Sequence, residues 1–253
     1  MRISVSGTIS IGKSTLVKDF LRAWPNYTTP SNTYRDVLKA KNYPHSKLCN
    51  KEGQWAILNS MIDEMQKYSK NDNVIFDRNP LDCLIFTLWA AEMETSDIDR
   101  KFVDKIIPIV KESLKNLDLI FFLPITASSP VPIEDNGKRE TDPQYIAEID
   151  HIFKALFYEY QHSLGKTPFF SADDCPAIIE IFGKPEERIL LIRQYLDENG
   201  SVYGEEEDTI LNPNNIEDFE KLIAQQMAED EKEKNIKKHQ KMVKDFIAKT
   251  KSS

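Results

Sequence analysis

The residues best suited to chemistry lie near the start of the chain. Gly7-Thr8-Ile9-Ser10-Ile11-Gly12-Lys13-Ser14 fits the pattern G-x-x-x-x-G-K-[ST] without a mismatch. Gly7 and Gly12 let backbone N–H groups, including that of Ile11, close around phosphate oxygens with no Cβ in the way. A following helix adds the positive end of its dipole, at Ser14 and Thr15. Lys13 reaches the β- and γ-phosphates, and the Ser14 hydroxyl can ligate Mg²⁺. The expected ligands are therefore ATP and Mg²⁺. A plainer reading is a Gly/Ser-rich turn carrying an incidental lysine, but a strand-like run at 2–6 precedes the motif and an amphipathic run at 14–23 follows it.

A second cluster follows an apolar run. Asn73-Val74-Ile75-Phe76 ends in Asp77-Arg78, the strand-then-acid pattern of a carboxylate that holds Mg²⁺ or accepts a substrate proton. Arg78 is placed to clamp a phosphate or the substrate. The structural alternative for Asp77 is a helix N-cap.

These residues must be held by an α/β frame. Strands are predicted at 2–6, 26–29, 73–77, 119–123 and 177–182, the last three continuous in apolar character, as in strands buried on both faces. Helical patterns lie between them at 14–23, 34–40, 54–69, 81–92, 97–116 and 143–164, and a last one at 185–198 opens with proline and two glutamates. The rhythm predicts a P-loop NTPase fold: a doubly wound, parallel, five-stranded sheet with helices on both faces and the ligand at the C-terminal strand edges.

Residues 1–199 are expected to form this domain, 200–215 a linker and 216–253 a helical C-terminal appendage. The appendage region is segregated in charge. Ten acids against Lys221 leave −9 over 205–231, and eight lysines against Glu233 and Asp245 leave +6 over 232–251. A self-satisfying helical hairpin and a lysine-rich helix flanking an anionic partner both explain this.

Composition narrows the class. The chain has 253 residues, 40% of them hydrophobic, and a net charge of −8. That is enough for a full core, and the acidic balance argues against a broad nucleic-acid-binding surface. Nucleic acid is thus a possible partner but not the favoured one. Three separated cysteines suggest reduced thiols, and no stretch approaches the roughly 18 apolar residues of a membrane span. A cytoplasmic protein with no membrane partner is expected; an oligomer is compatible with these features.

Asp77-Arg78-Asn79-Pro80-Leu81-Asp82 resembles the D-R-[ST]-P-L-D stretch of small P-loop kinases related to the ribosylnicotinamide kinases and the deoxynucleoside and nucleotide kinases. The segment Pro132-Ile133-Glu134-Asp135-Asn136-Gly137-Lys138-Arg139-Glu140-Thr141-Asp142-Pro143 is similar to the acidic-Gly-x-Arg lid of that group, and Gly183-Lys184-Pro185-Glu186-Glu187-Arg188 to its loop flanking the nucleotide base. The resemblance spans about residues 1–198. It implies a phosphotransferase acting on a nucleoside-like or nucleotide acceptor, with a hydroxymethylated base in DNA as a variant. Lys13, Asp77, Arg78 and Arg139 would serve transfer, and Arg188 the nucleotide. Arg139 has a plainer reading as a surface ion pair.

One departure stands out. Deoxynucleoside kinases carry a base glutamate just after the second strand, where this chain reads Thr29-Pro30-Ser31-Asn32-Thr33-Tyr34-Arg35-Asp36. The role would pass to Asp77 or Asp36. Arg35 is a candidate for a substrate phosphate, or equally a helix-face ion pair. Gln54 and Trp55 are candidates for a planar base, with Trp55 also suited to the core. The rival reading is a nucleotide-dependent ATPase or GTPase switch or binding protein, but its base-specificity motif N-K-x-D is missing: Asn50-Lys51 is followed by Glu52-Gly53.

Overall fold

β1 (Arg2–Gly7) alternates Ile3, Val5 and Gly7 with Ser4 and Ser6, and Thr8 follows in phase. Successive side chains of a strand point to opposite faces, so one face of β1 is apolar and the other is a row of hydroxyls. In the computed structural model, which describes residues 1–127 and 140–203, this strand lies inside a parallel sheet of order β2-β1-β3-β4. β2 is Val74–Asp77, β3 is Leu119–Leu123 and β4 is Ala177–Glu180. Residues 1–201 form one compact unit.

Helices cover both faces. α1 (Lys13–Ala23) and α7 (Pro185–Ile192) pack together on one side. There Phe20 stacks on Trp24 at 4.6 Å and approaches Phe121 of β3 at 6.1 Å. On the other side α3 (Lys51–Met65), α4 (Pro80–Glu92), α5 (Arg100–Ser113) and α6 (Pro143–Ser163) build the larger core. Phe122 of β3 meets Phe153 and Phe157 of α6 there, at 5.6 and 4.4 Å. The short α2 (Tyr34–Lys41) leans on α3.

The sheet has four strands among the described residues, not five. Residues 26–29 contribute one parallel bridge, Thr28 to Val74, through Thr28 N–H to Asn73 C=O at 3.0 Å and Ile75 N–H to Thr28 C=O at 2.9 Å. Pro25 and Pro30 bracket the segment, and proline has no N–H to extend a ladder. β4 also departs from expectation: it is a partly exposed edge strand that stops at Glu180, rather than one buried on both faces. Ile181 is fully buried and its N–H still bonds Phe122 C=O, but Phe182 is exposed. The last helix ends at Ile192, not 198. No helix among the described residues is long and apolar enough to cross a membrane. The lid and Arg139, and nearly all of the linker and appendage, lie outside the described residues.

The fold places the phosphate loop at the C-terminal end of β1, where Gly7 passes close to β3. Gly7 has φ 143°, and a Cβ there would meet the Leu123 carbonyl oxygen at 2.6 Å. Backbone cannot yield as a flexible side chain can, so Gly7→Ala is expected to destabilise the protein by about 2 kcal/mol or more. Urea titration should show a clearly lower midpoint; an unchanged midpoint would mean that the loop has slack at this contact.

Candidate active site at the phosphate-binding loop

The loop between β1 and α1 is held by two helices. Thr8 Oγ1 donates to the Ile146 carbonyl of α6 at 2.7 Å. Arg188 of α7 donates from Nη1 to the Ile11 carbonyl at 2.8 Å and from Nε to the Gly183 carbonyl at 3.0 Å. At Gly12 (φ 95°), a Cβ would stand 2.9 Å from Arg188 Nη1. Glycine here supplies both the left-handed backbone and the room for the guanidinium. Arg188 thus braces the loop's backbone, and its two named donors are spent on carbonyls.

Lys13 is buried inside this frame, its ammonium donating to the Gly7 carbonyl at 2.7 Å and to the Thr8 carbonyl. Burial, reinforced by the charge of Arg78, pushes its pKa well below the usual lysine value, against the pull of Asp82 and Asp77. Ser14 Oγ donates to Asp77 Oδ2 at 2.5 Å. A hydroxyl and a carboxylate from different elements thus meet at the start of α1, two hard oxygen donors of the kind Mg²⁺ takes. Thr15 is exposed one residue on.

Beneath Asp77 lies a buried polar network. Arg78 has φ 91° and pairs with Asp82 at 3.1 Å, with side chains 9% and 1% exposed. Its guanidinium stands over the rings of Tyr34 and Phe86 at 5.0 and 5.3 Å. Asp82 also accepts from Ser6 Oγ at 2.8 Å, and Asn79 Nδ2 donates to Ser4 Oγ and Ser6 Oγ, both at 2.8 Å. Burial raises the Asp82 pKa, while Arg78 and Lys13 oppose that shift. Asn79 and Asp82 also form the capping box of α4. The helix-cap role considered for Asp77 therefore belongs to Asn79. The Ser4/Ser6/Thr8 alternation was the visible signal for this network, but it does not by itself say what the hydroxyls bind.

The other candidate residues fall in different places. Arg35 is exposed, 5.1 Å above the Tyr34 ring. Asp36 accepts from Thr33 N–H at 2.8 Å and Thr33 Oγ1 at 2.9 Å, closing the capping box of α2. Gln54 is buried, its Oε1 accepting from Cys83 Sγ at 3.0 Å. Trp55 packs on Phe102 of α5, with Lys105 4.3 Å above its ring. A pocket opens beside Asp77 and Arg78, lined also by Thr29, Asn32, Tyr34, Ser60, Met61 and Glu64. Glu64 is paired with Lys67.

Residues 2–169 match the family model described as AAA domain. The chain belongs to this AAA-domain family. No curated protein is significantly similar to it in sequence. Among solved structures it resembles deoxyadenosine kinase from M. mycoides with products dCMP and a flexible dCDP bound: 16% identity, TM-score 0.56, covering 77% of this chain and 97% of that one. Thymidylate kinase from Candida albicans is similar at 14% identity and TM-score 0.50, over 81% of this chain and 95% of the other. NadR protein in complex with NAD and AMP-PNP is similar at 14% identity and TM-score 0.51, but 81% of this chain spans only 51% of that one. The AAA-domain protein thus has the P-loop fold of the nucleoside and nucleotide kinases.

The position of Arg188 separates two roles. A brace acts on backbone that every nucleotide meets, whereas a base contact discriminates among bases. Arg188→Lys keeps the charge but loses the fork that spans two carbonyls. It should weaken ATP and GTP by the same factor, about tenfold, or roughly 1.4 kcal/mol. Calorimetric titration of both nucleotides checks this; a loss confined to one of them would identify a base contact instead.

Proposed function

We propose that this protein is an ATP-dependent kinase that transfers the γ-phosphate to a nucleoside-like or nucleotide acceptor. The observation that supports it best is the meeting of two sites at Asp77. Its carboxylate touches Ser14 of the phosphate loop on one side and lines the pocket beside Arg78 on the other. A triphosphate on the loop and an acceptor in that pocket would share this edge.

Ser14 and Asp77 would hold Mg²⁺, which when bound neutralises charge on the phosphates. Held by the Gly7 and Thr8 carbonyls, Lys13 would bring positive charge to the phosphates from inside the loop, where low dielectric strengthens the attraction. Arg78 is fixed by Asp82 and two aromatic rings, so its charge is positioned before any ligand arrives. Among its described lining residues the pocket has two carboxylates, and Glu64 is engaged by Lys67. Asp77 would serve the metal or, in its place, take the proton of the acceptor hydroxyl, the role that the missing glutamate leaves open. Arg139 would add charge from the lid. The domain boundaries at 199 and 215 remain part of this proposal.

Lys13→Ala should cut transfer by some hundreds-fold or more, because the lost charge acts on the transition state. Asp77→Asn should lower turnover more than ATP affinity. Both are read by following labelled ATP with a panel of nucleosides, nucleotides and hydroxymethylated DNA, alongside calorimetry. Rapid ATP hydrolysis that no panel member alters, with no phosphorylated product, would favour the ATPase switch.

A further inference from the structure

Tyr145 sits in the first turn of α6, which Asp142 caps by accepting from the backbone N–H groups of Gln144 and Tyr145 at 2.9 and 3.4 Å. The next residue, Ile146, offers the carbonyl that receives Thr8 of the phosphate loop. Tyr145 is therefore one residue away from a direct contact with the nucleotide cradle.

Its ring is tightly placed. Trp89 meets it edge-on at 4.4 Å, Phe86 tilts against it at 6.4 Å, and the Lys47 ammonium stands 5.6 Å above it. Lys47 is tied in turn to Asp142. The residue is 1% exposed. Its hydroxyl nevertheless has no hydrogen-bond partner, and among the described residues only one other buried side-chain polar atom shares that condition: Arg78 Nε. Both side chains pack on one ring, Phe86, with the Arg78 guanidinium carbon 5.3 Å from its centroid. A buried hydroxyl without a partner is costly and native proteins rarely leave one. The two atoms belong to side chains that share one aromatic neighbour, and one of those side chains, Arg78, also lines the pocket beside Asp77.

We propose that Tyr145 is an acceptor-binding, specificity-determining residue, its hydroxyl and Arg78 Nε serving hydrogen-bond-accepting oxygens of the acceptor beside Phe86. The inference rests on the kinase reading above. Burial, with Cys49 and Glu140 adding to it, pushes the phenol's pKa up, so the hydroxyl keeps its proton and donates at neutral pH. Arg78 Nε also donates. The oxygens could be carbonyls of a planar base or oxygens of a phosphate; both present the same lone pairs to these donors. A site built to hydrogen-bond a substrate group discriminates strongly, because the wrong substrate leaves buried donors unpaired.

The test is Tyr145→Phe, which keeps the ring and its packing and removes one oxygen. Wild type and variant are assayed with ATP against nucleosides, their 5′-monophosphates and base analogues lacking carbonyl oxygens. The acceptor KM is expected to rise about tenfold or more while the KM for ATP is unchanged. The melting temperature without ligand should hold or rise by about 2–4 °C, since an unpaired buried hydroxyl is gone. If only monophosphates lose affinity in the variant, the oxygen belongs to a phosphate; if the loss follows the carbonyl-bearing bases, it belongs to a base. An unchanged acceptor KM overturns the assignment. So does a lowered melting temperature with both KM values raised together, which would mark a structural hydroxyl. Wild-type protein that neither phosphorylates nor shows a thermal shift with any panel member overturns the kinase reading itself, and this assignment with it.

Discussion

The buried pair of Arg78 and Asp82 is the constraint around which the site is arranged. Two charges with side chains 9% and 1% exposed persist in a core only when paired and hydrogen-bonded, because isolated burial costs several kcal/mol per ion. Ser6 and the Asn79 backbone supply those bonds to Asp82, and Asn79 in turn ties Ser4 and Ser6. The hydroxyl face of β1, the start of α4 and the end of β2 thus become one unit. Asp77 immediately precedes Arg78 in the chain, so the network that fixes Arg78 also fixes the carboxylate that touches Ser14.

The phosphate loop is prebuilt by the same logic. Its carbonyls are engaged by Lys13 from within and by Arg188 from α7, and Thr8 anchors it to α6. Each contact removes a way for the loop to relax, and such preorganisation lets fixed dipoles stabilise developing charge without a reorganisation cost. α6 and α7 thus both hold the loop.

Much of this was legible before any coordinates. A glycine–lysine–serine loop between a strand pattern and a helix pattern identifies itself, because close backbone approach and a terminal ammonium need those residue types at that spacing. The Asp77-Arg78 pair following an apolar run was equally plain. The run at 26–29 has a composition that suits a strand, but Pro25 and Pro30 leave room for one bridge. Trp55 and Gln54 were ambiguous for a different reason: α3 turns them towards α5 and Cys83 of α4, and helical periodicity does not say which neighbour a face will meet.

The sequence by itself determined the glycine–lysine–serine loop, the Asp77-Arg78 pair that ends an apolar run, the α/β rhythm and the acidic balance of the chain. Those are short-range properties, set by backbone freedom, side-chain type and periodicity within a few residues. Only the tertiary structure decided that Ser4 and Ser6 receive Asn79, that Arg188 spans to Ile11 across a separation of 177 positions, and that Tyr145 and Arg78 converge on Phe86. Hydrogen-bond satisfaction is a property of the packed interior. Which buried donors find partners, and which do not, is settled only once distant segments have come together.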